Sequence, residues 1–174
     1  RPPSSTHCIS SAASDVYKRQ VISLFVTGLA FKVAAPTMFF KEVSVPYDFD
    51  KTVKILQARI NKQEGWHVTD TIDQQKEVLE NGGEDVGQVK IIKFCNGKLS
   101  GEMLSEDESK FMAAKMPLSI AVYEKSDGRV TIGLMNGYIM ARLFSGTRES
   151  VIMEKVVKDI EEILSFLHFR FTIF

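Results

Sequence analysis

Two segments in the last third of the chain constrain its fold more than any others. Leu118, Ile120 and Val122 alternate along one stretch, Val130, Ile132 and Leu134 along another, and Ser126-Asp127-Gly128 lies between them. Alternation with period two puts each apolar set on one side of a strand, and Asp-Gly supplies the positive-φ residues of a tight turn, so the pair forms an antiparallel hairpin. A slip of one residue would turn both apolar faces to water, which fixes the register. Downstream, Ile152, Met153, Val156, Val157, Ile160, Ile163, Leu164 and Leu167 recur at helical spacing through Ser150 to Leu167. Such a stripe needs a sheet to cover, and the hairpin is part of one.

Upstream segments extend the pattern. Phe39 to Pro46 alternates from Lys41 to Val45 as a half-buried strand stopped by its proline. Asp48 or Asp50 opens a helix with Phe49, Val53, Leu56 and Ile60 on one face, and Gly65 can take the left-handed conformation at its end. Trp66 to Ile72 and Val89 to Cys95 read as strands, and Asp73 as the cap of a short helix closed by Gly82-Gly83. Leu99 and Met103 lie one helical turn apart on another short helix, Glu106 to Lys110 reads as a charged turn, and Asn136-Gly137 precedes a helix through Tyr138, Ala141 and Leu143. With about five strands, about five helices and no regular βα repeat, the fold class is α+β: a mixed, largely antiparallel sheet covered by helices. This domain spans residues 37–167, with 168–174 as a C-terminal tail.

The N-terminal residues differ in kind. Arg1 to Gln20 holds five serines and no helical or strand period, and Ser10 to Gln20 resembles a translated sequencing-adapter tail, so residues 1–20 are set outside the fold and Cys8 and His7 carry no functional weight. Val21 to Phe31 is an uncharged apolar run behind Lys18 and Arg19, ending in small residues. At about eleven residues it is short of the roughly twenty that cross a bilayer and within the range of a signal-peptide core, with Gly28-Leu29-Ala30 as a small-x-small cleavage site. Residues 21–36 are therefore expected to direct export, to the periplasm or beyond, with no stable membrane span. The competing readings are a buried segment of a cytoplasmic protein and a retained anchor.

Charge and motifs exclude more than they select. The chain carries 22 basic and 22 acidic residues, and after residue 30 the balance is 19 to 21. No net basic field favours nucleic acid, and none is expected as a partner. Two cysteines make no disulfide framework, and scattered His7, His67 and His168 have no metal-ligand spacing. Glu102, Glu106, Asp107 and Glu108 lack the glycine and ligand spacing of a calcium loop and read as a solvated face. No phosphate-cradling glycine string and no hydrolase motif occurs, so no catalytic residues, metal or cofactor are assigned.

The strand-loop-helix VKIIKFCNGKLSGEMLSED followed by MPLSIAVYEKSDGRVTIGLMN resembles the DUF302 family of small domains with the TT1751-like fold. The resemblance covers about Val43 to Leu164, in the same order of elements: a first strand and helix, Gly65-Trp66 entering a strand that ends at Ile72-Asp73, Cys95-Asn96 ending another, the hairpin from Pro117 to Met135, and a closing helix from Val151 to Leu164. Two departures stand out: Gly97 occupies a position where relatives commonly carry proline, and Phe111 to Met116 is more polar than its counterpart. The resemblance implies a fold and a homodimer and names no reaction.

Four residues are candidate ligand-binding positions: Cys95 and Asn96 at the end of one strand, and Trp66 and His67 at the start of another. Cys95 is the sole thiol after residue 30, and the helix start that follows it would favour a thiolate. Free cysteine is also among the most buried residue types, and an apolar strand is an ordinary place for one. Two functions remain in contention: a non-catalytic module binding a small molecule or a protein partner, and a thiol-dependent redox or sulfur-metabolism protein using Cys95.

Overall fold

The computed structural model describes residues 9–172, and the chain divides into two units, 1–37 and 38–174. The described part of the first unit is helical and belongs to α1 (Ile9–Phe39), along which Val21, Ile22, Leu24, Phe25, Leu29 and Phe31 are exposed. For residues 9–20 this differs from the expectation of a segment with no helical or strand period. Residues 9–35 contain no proline and one glycine, so nothing interrupts the helical hydrogen-bond ladder. His7 and Cys8 lie outside the described residues. Among the described residues, no helix is long and apolar enough to cross a membrane.

In the second unit five strands form one sheet in the order β1-β5-β4-β3-β2, from β1 (Phe40–Ser44), β2 (Trp66–Asp73), β3 (Val89–Asn96), β4 (Leu118–Glu124) and β5 (Val130–Met135). Every pairing is antiparallel, so the expected mixed component is absent from it. The hairpin forms in the register that its alternation dictates, with Ile120 opposite Leu134 and Val122 opposite Ile132, and Gly128 takes a φ of 79° in the turn.

The helix α2 (Phe49–Lys62) carries the chain from one sheet edge to the other. Asp48 caps it by accepting from the Lys51 amide at 2.8 Å. Its Phe49, Val53, Leu56 and Ile60 pack on Ile92, Phe94, Ile120, Val122, Ile132 and Leu134, together with Ile160, Ile163 and Leu164 at the C-terminal end of α6 (Arg148–Ile163). The hairpin and the terminal stripe thus share one core. Arg59 locks the two helices together, its guanidinium donating to the carbonyls of Ile163 and of Glu162, the latter at 2.9 Å.

Residues 168–172 are more than a tail. Phe169 and Phe171 are both 7% exposed and meet edge to face at 4.8 Å, and the Phe171 amide donates to Glu161 at 2.7 Å. Their alternation in HFRFT is the strand-like pattern of a segment with one buried side.

Gly65 sits where α2 turns into β2. Its φ of +76° is left-handed, and a Cβ there would stand 2.9 Å from Asn96 Nδ2. Gly65→Ala is therefore expected to cost about 2 kcal/mol, the left-handed penalty plus displacement of a buried amide, read as a lowered urea midpoint with unchanged slope.

Candidate functional site

Beyond the end of the sheet that carries Cys95-Asn96, short elements gather into a second layer. They are α4 (Gly97–Met103), a 3-10 segment (Asp107–Lys115), α5 (Gly137–Leu143) and the first turns of α6. Met103, Met112, Ala141, Ile152 and Met153 form their shared buried cluster. The layer stays open inside. Between it and the sheet lies an apolar cavity of about 130 Å³.

Six of the chain's seven methionines line this cavity: Met103, Met112, Met116, Met135, Met140 and Met153, each from a different element or connection. Leu99, Leu118, Val156, Val157 and Ile160 complete the apolar wall. Lys115 is the one charged residue on the lining. Unbranched thioether side chains fill irregular space and re-pack at low cost, so this wall can reshape around an occupant.

Trp66, Cys95 and Asn96 also line the cavity, whereas His67 lies outside it. Trp66 is buried, its ring 5.4 Å from that of Phe94, and its Nε1 donates to Asp159 on α6 at 2.8 Å. Asn96 is buried and caps α4: its Oδ1 accepts from the amides of Lys98 and Leu99, both at 3.1 Å. The donors at that helix start are thus engaged by Asn96 and not by the neighbouring thiol. Cys95 is half-buried, with Sγ 3.0 Å from Ser100 Oγ. His67 is exposed and pairs with Cys95 across the β2-β3 ladder. Among the described residues, no group of three or more His, Cys, Asp or Glu is placed to hold a metal.

Two neighbouring residues tie the layer to α6. Arg148 donates to Glu106 and to the Glu102 carbonyl, both at 2.6 Å, and Glu149 accepts from the buried Ser109 hydroxyl. That bond, with further hydrogen bonds from its own amide and Thr147, pulls the Glu149 carboxyl down to about 2 from 4.5. A depressed folded-state value stabilises the fold above the unfolded-state value, and the contribution is lost as pH falls through the folded one. The stability gap between wild type and Glu149→Gln should therefore be full above pH 4.5 and close progressively toward pH 2 in thermal melts.

The methionines are the part of the site that motif reading missed. The available signal was compositional: six of seven fall between residues 103 and 153, outside any periodic pattern of their own.

Sheet, covering helices and side cavity define a class: a small antiparallel α+β domain with an apolar pocket beside its core. A family model described as a domain of unknown function, DUF302, matches residues 41–167. The chain belongs to the DUF302 family. The crystal structure of an uncharacterized conserved DUF302 protein from Bacillus stearothermophilus shares this fold with a TM-score of 0.64 at 21% identity, over 75% of this chain and 98% of that one. No curated protein matches the chain.

Proposed function

We propose that the domain is a non-catalytic binding module that takes a small apolar group into the methionine-lined cavity. The observation carrying this reading is the cavity itself, about 130 Å³ and walled by six methionines. Apolar cavities of about 150 Å³ engineered into other proteins stay dry and take up benzene or xenon, which sets the size of group this one suits. The N-terminal apolar run, exposed along α1, supports export as part of the same reading. Homodimer formation rests on the family resemblance.

Benzene is the probe. Its titration into protein labelled with ¹³C at the methionine methyls should shift signals from cavity methionines more than that of Met38, and raise the melting temperature by mass action. Unmoved methyls at saturating benzene would sink the proposal.

The rival reading, thiol-dependent redox or sulfur chemistry at Cys95, draws on the thiol's place in the cavity wall. Cys95→Ser separates the two: a binding module keeps its benzene response, and a thiol-dependent protein loses its chemistry with the sulfur.

A further inference from the structure

A second space adjoins the cavity. Phe94, Lys115, Met116, Leu118, Met135 and Ile160 line it and also line a wider groove of about 690 Å³ along the neighbouring sheet face. The two spaces share a wall, yet they differ in chemistry. The groove is bordered by Lys41, Lys93 and Lys115 against a single carboxylate, Glu42.

That carboxylate is already engaged, accepting from Lys125 Nζ at 2.6 Å and from the Tyr123 hydroxyl. Among the described residues none of the three lysines forms an ion pair. Asp70 stands opposite Lys93 in the β2-β3 register, where its carboxylate accepts from the Thr71 amide. A thioether-lined apolar space and a region of surplus positive charge therefore lie on either side of shared residues. A soft cation would find sulfur there, but it would also meet Lys115, the sole charge on the cavity lining.

From this juxtaposition we infer that the ligand is an anionic amphiphile. Its short apolar chain occupies the methionine cavity, and its carboxylate or comparable anionic head lies in the groove against Lys115 and Lys93. The inference rests on the binding reading of the cavity and adds the head group, the polarity of the ligand and the direction in which it enters. Chain and head have separate jobs. Burying the chain supplies affinity roughly in proportion to the area removed from water, and the lysines select among ligands of equal chain.

Octanoate and 1-octanol test this, because they share a chain and differ in charge. Both are titrated at pH 8 and low salt into wild type and into Lys93→Gln/Lys115→Gln, with the ¹³C-methionine methyls reporting the position of the chain. Octanoate should bind wild type about fivefold or more tightly than octanol, a preference that falls with added salt and disappears in the double variant. Octanol should still move the cavity methyls of the double variant, which guards against a variant that merely misfolds. Equal binding of the two ligands by wild type, or a preference that survives the lysine changes, overturns the anionic head while leaving the apolar pocket standing. Failure of both ligands to move the cavity methyls removes the pocket and the amphiphile together.

Discussion

Trp66→Ala is expected to cost about 3–5 kcal/mol, a large share of the usual total stability of about 5–15 kcal/mol for a domain. Three effects add at this position. The side chain is 5% exposed, so its removal leaves a void that the sheet cannot collapse into. Its ring is packed at 5.4 Å against Phe94, one of the fully buried residues of β3. Its Nε1 donates at 2.8 Å to Asp159, which ties the first residue of β2 to α6. Trp66→Phe separates these effects by keeping an aromatic ring and losing the donor, and should cost about 1–2 kcal/mol. As Trp66 is the only tryptophan, urea melts of both variants should be followed by circular dichroism. A loss under 1 kcal/mol for Trp66→Ala would mean that the β2 edge does not belong to the core.

The second large effect belongs to Asn136, fully buried where β5 gives way to α5. Its Nδ2 donates to the Met38 carbonyl at 2.8 Å and to the Thr172 carbonyl at 3.0 Å, so one amide joins the residues before β1 to the C-terminal segment. Its Oδ1 has no partner among the described residues. Asn136→Asp keeps the shape and removes both donors. The buried side chain then holds a carboxyl facing the Met38 and Thr172 carbonyls, and with about 1–3 kcal/mol for each hydrogen bond lost at a buried group the loss should reach about 3 kcal/mol or more at neutral pH. Burial raises the introduced carboxyl above its unfolded value, and a protonated acid restores one donor. The deficit is therefore smallest below the unfolded-state value of about 3.9 and grows as pH rises above it. A deficit independent of pH would show that the carboxyl finds water.

The sequence revealed different parts of this molecule to different degrees, and the reason is periodicity. The β4-β5 hairpin formed as expected because three apolar residues on each strand and an Asp-Gly turn all specify one register. The stripe on α6 was equally plain, although the helix proper ends at Ile163 and Ser165–Leu167 continues as a 3-10 turn. Residues 168–172 were harder. His168 adopts a φ of 54°, an uncommon conformation outside glycine, and only that turn brings Phe169 and Phe171 back onto the core. Trp66, Cys95 and Asn96 stand out in the sequence as chemistry-bearing residues, and in the fold Trp66 and Asn96 have well-defined packing and capping duties in the cavity wall. The methionine lining of the cavity was not visible in the sequence, although three of the candidate binding residues, Trp66, Cys95 and Asn96, lie on its wall. Its methionines come singly from elements and connections that meet only in three dimensions, and no local rule links Met103 to Met135 or Met153.

The claim on which the functional account turns is that this methionine-lined space is open to an apolar guest. A crystal of the protein held under xenon tests it most directly, since xenon is apolar, polarisable and of the right size for such a cavity. The account predicts a xenon peak bounded by Met103, Met112 and Met153, with little change in the surrounding backbone. A xenon-treated crystal with nothing between those three side chains, or with the methionines themselves filling the space, would contradict it.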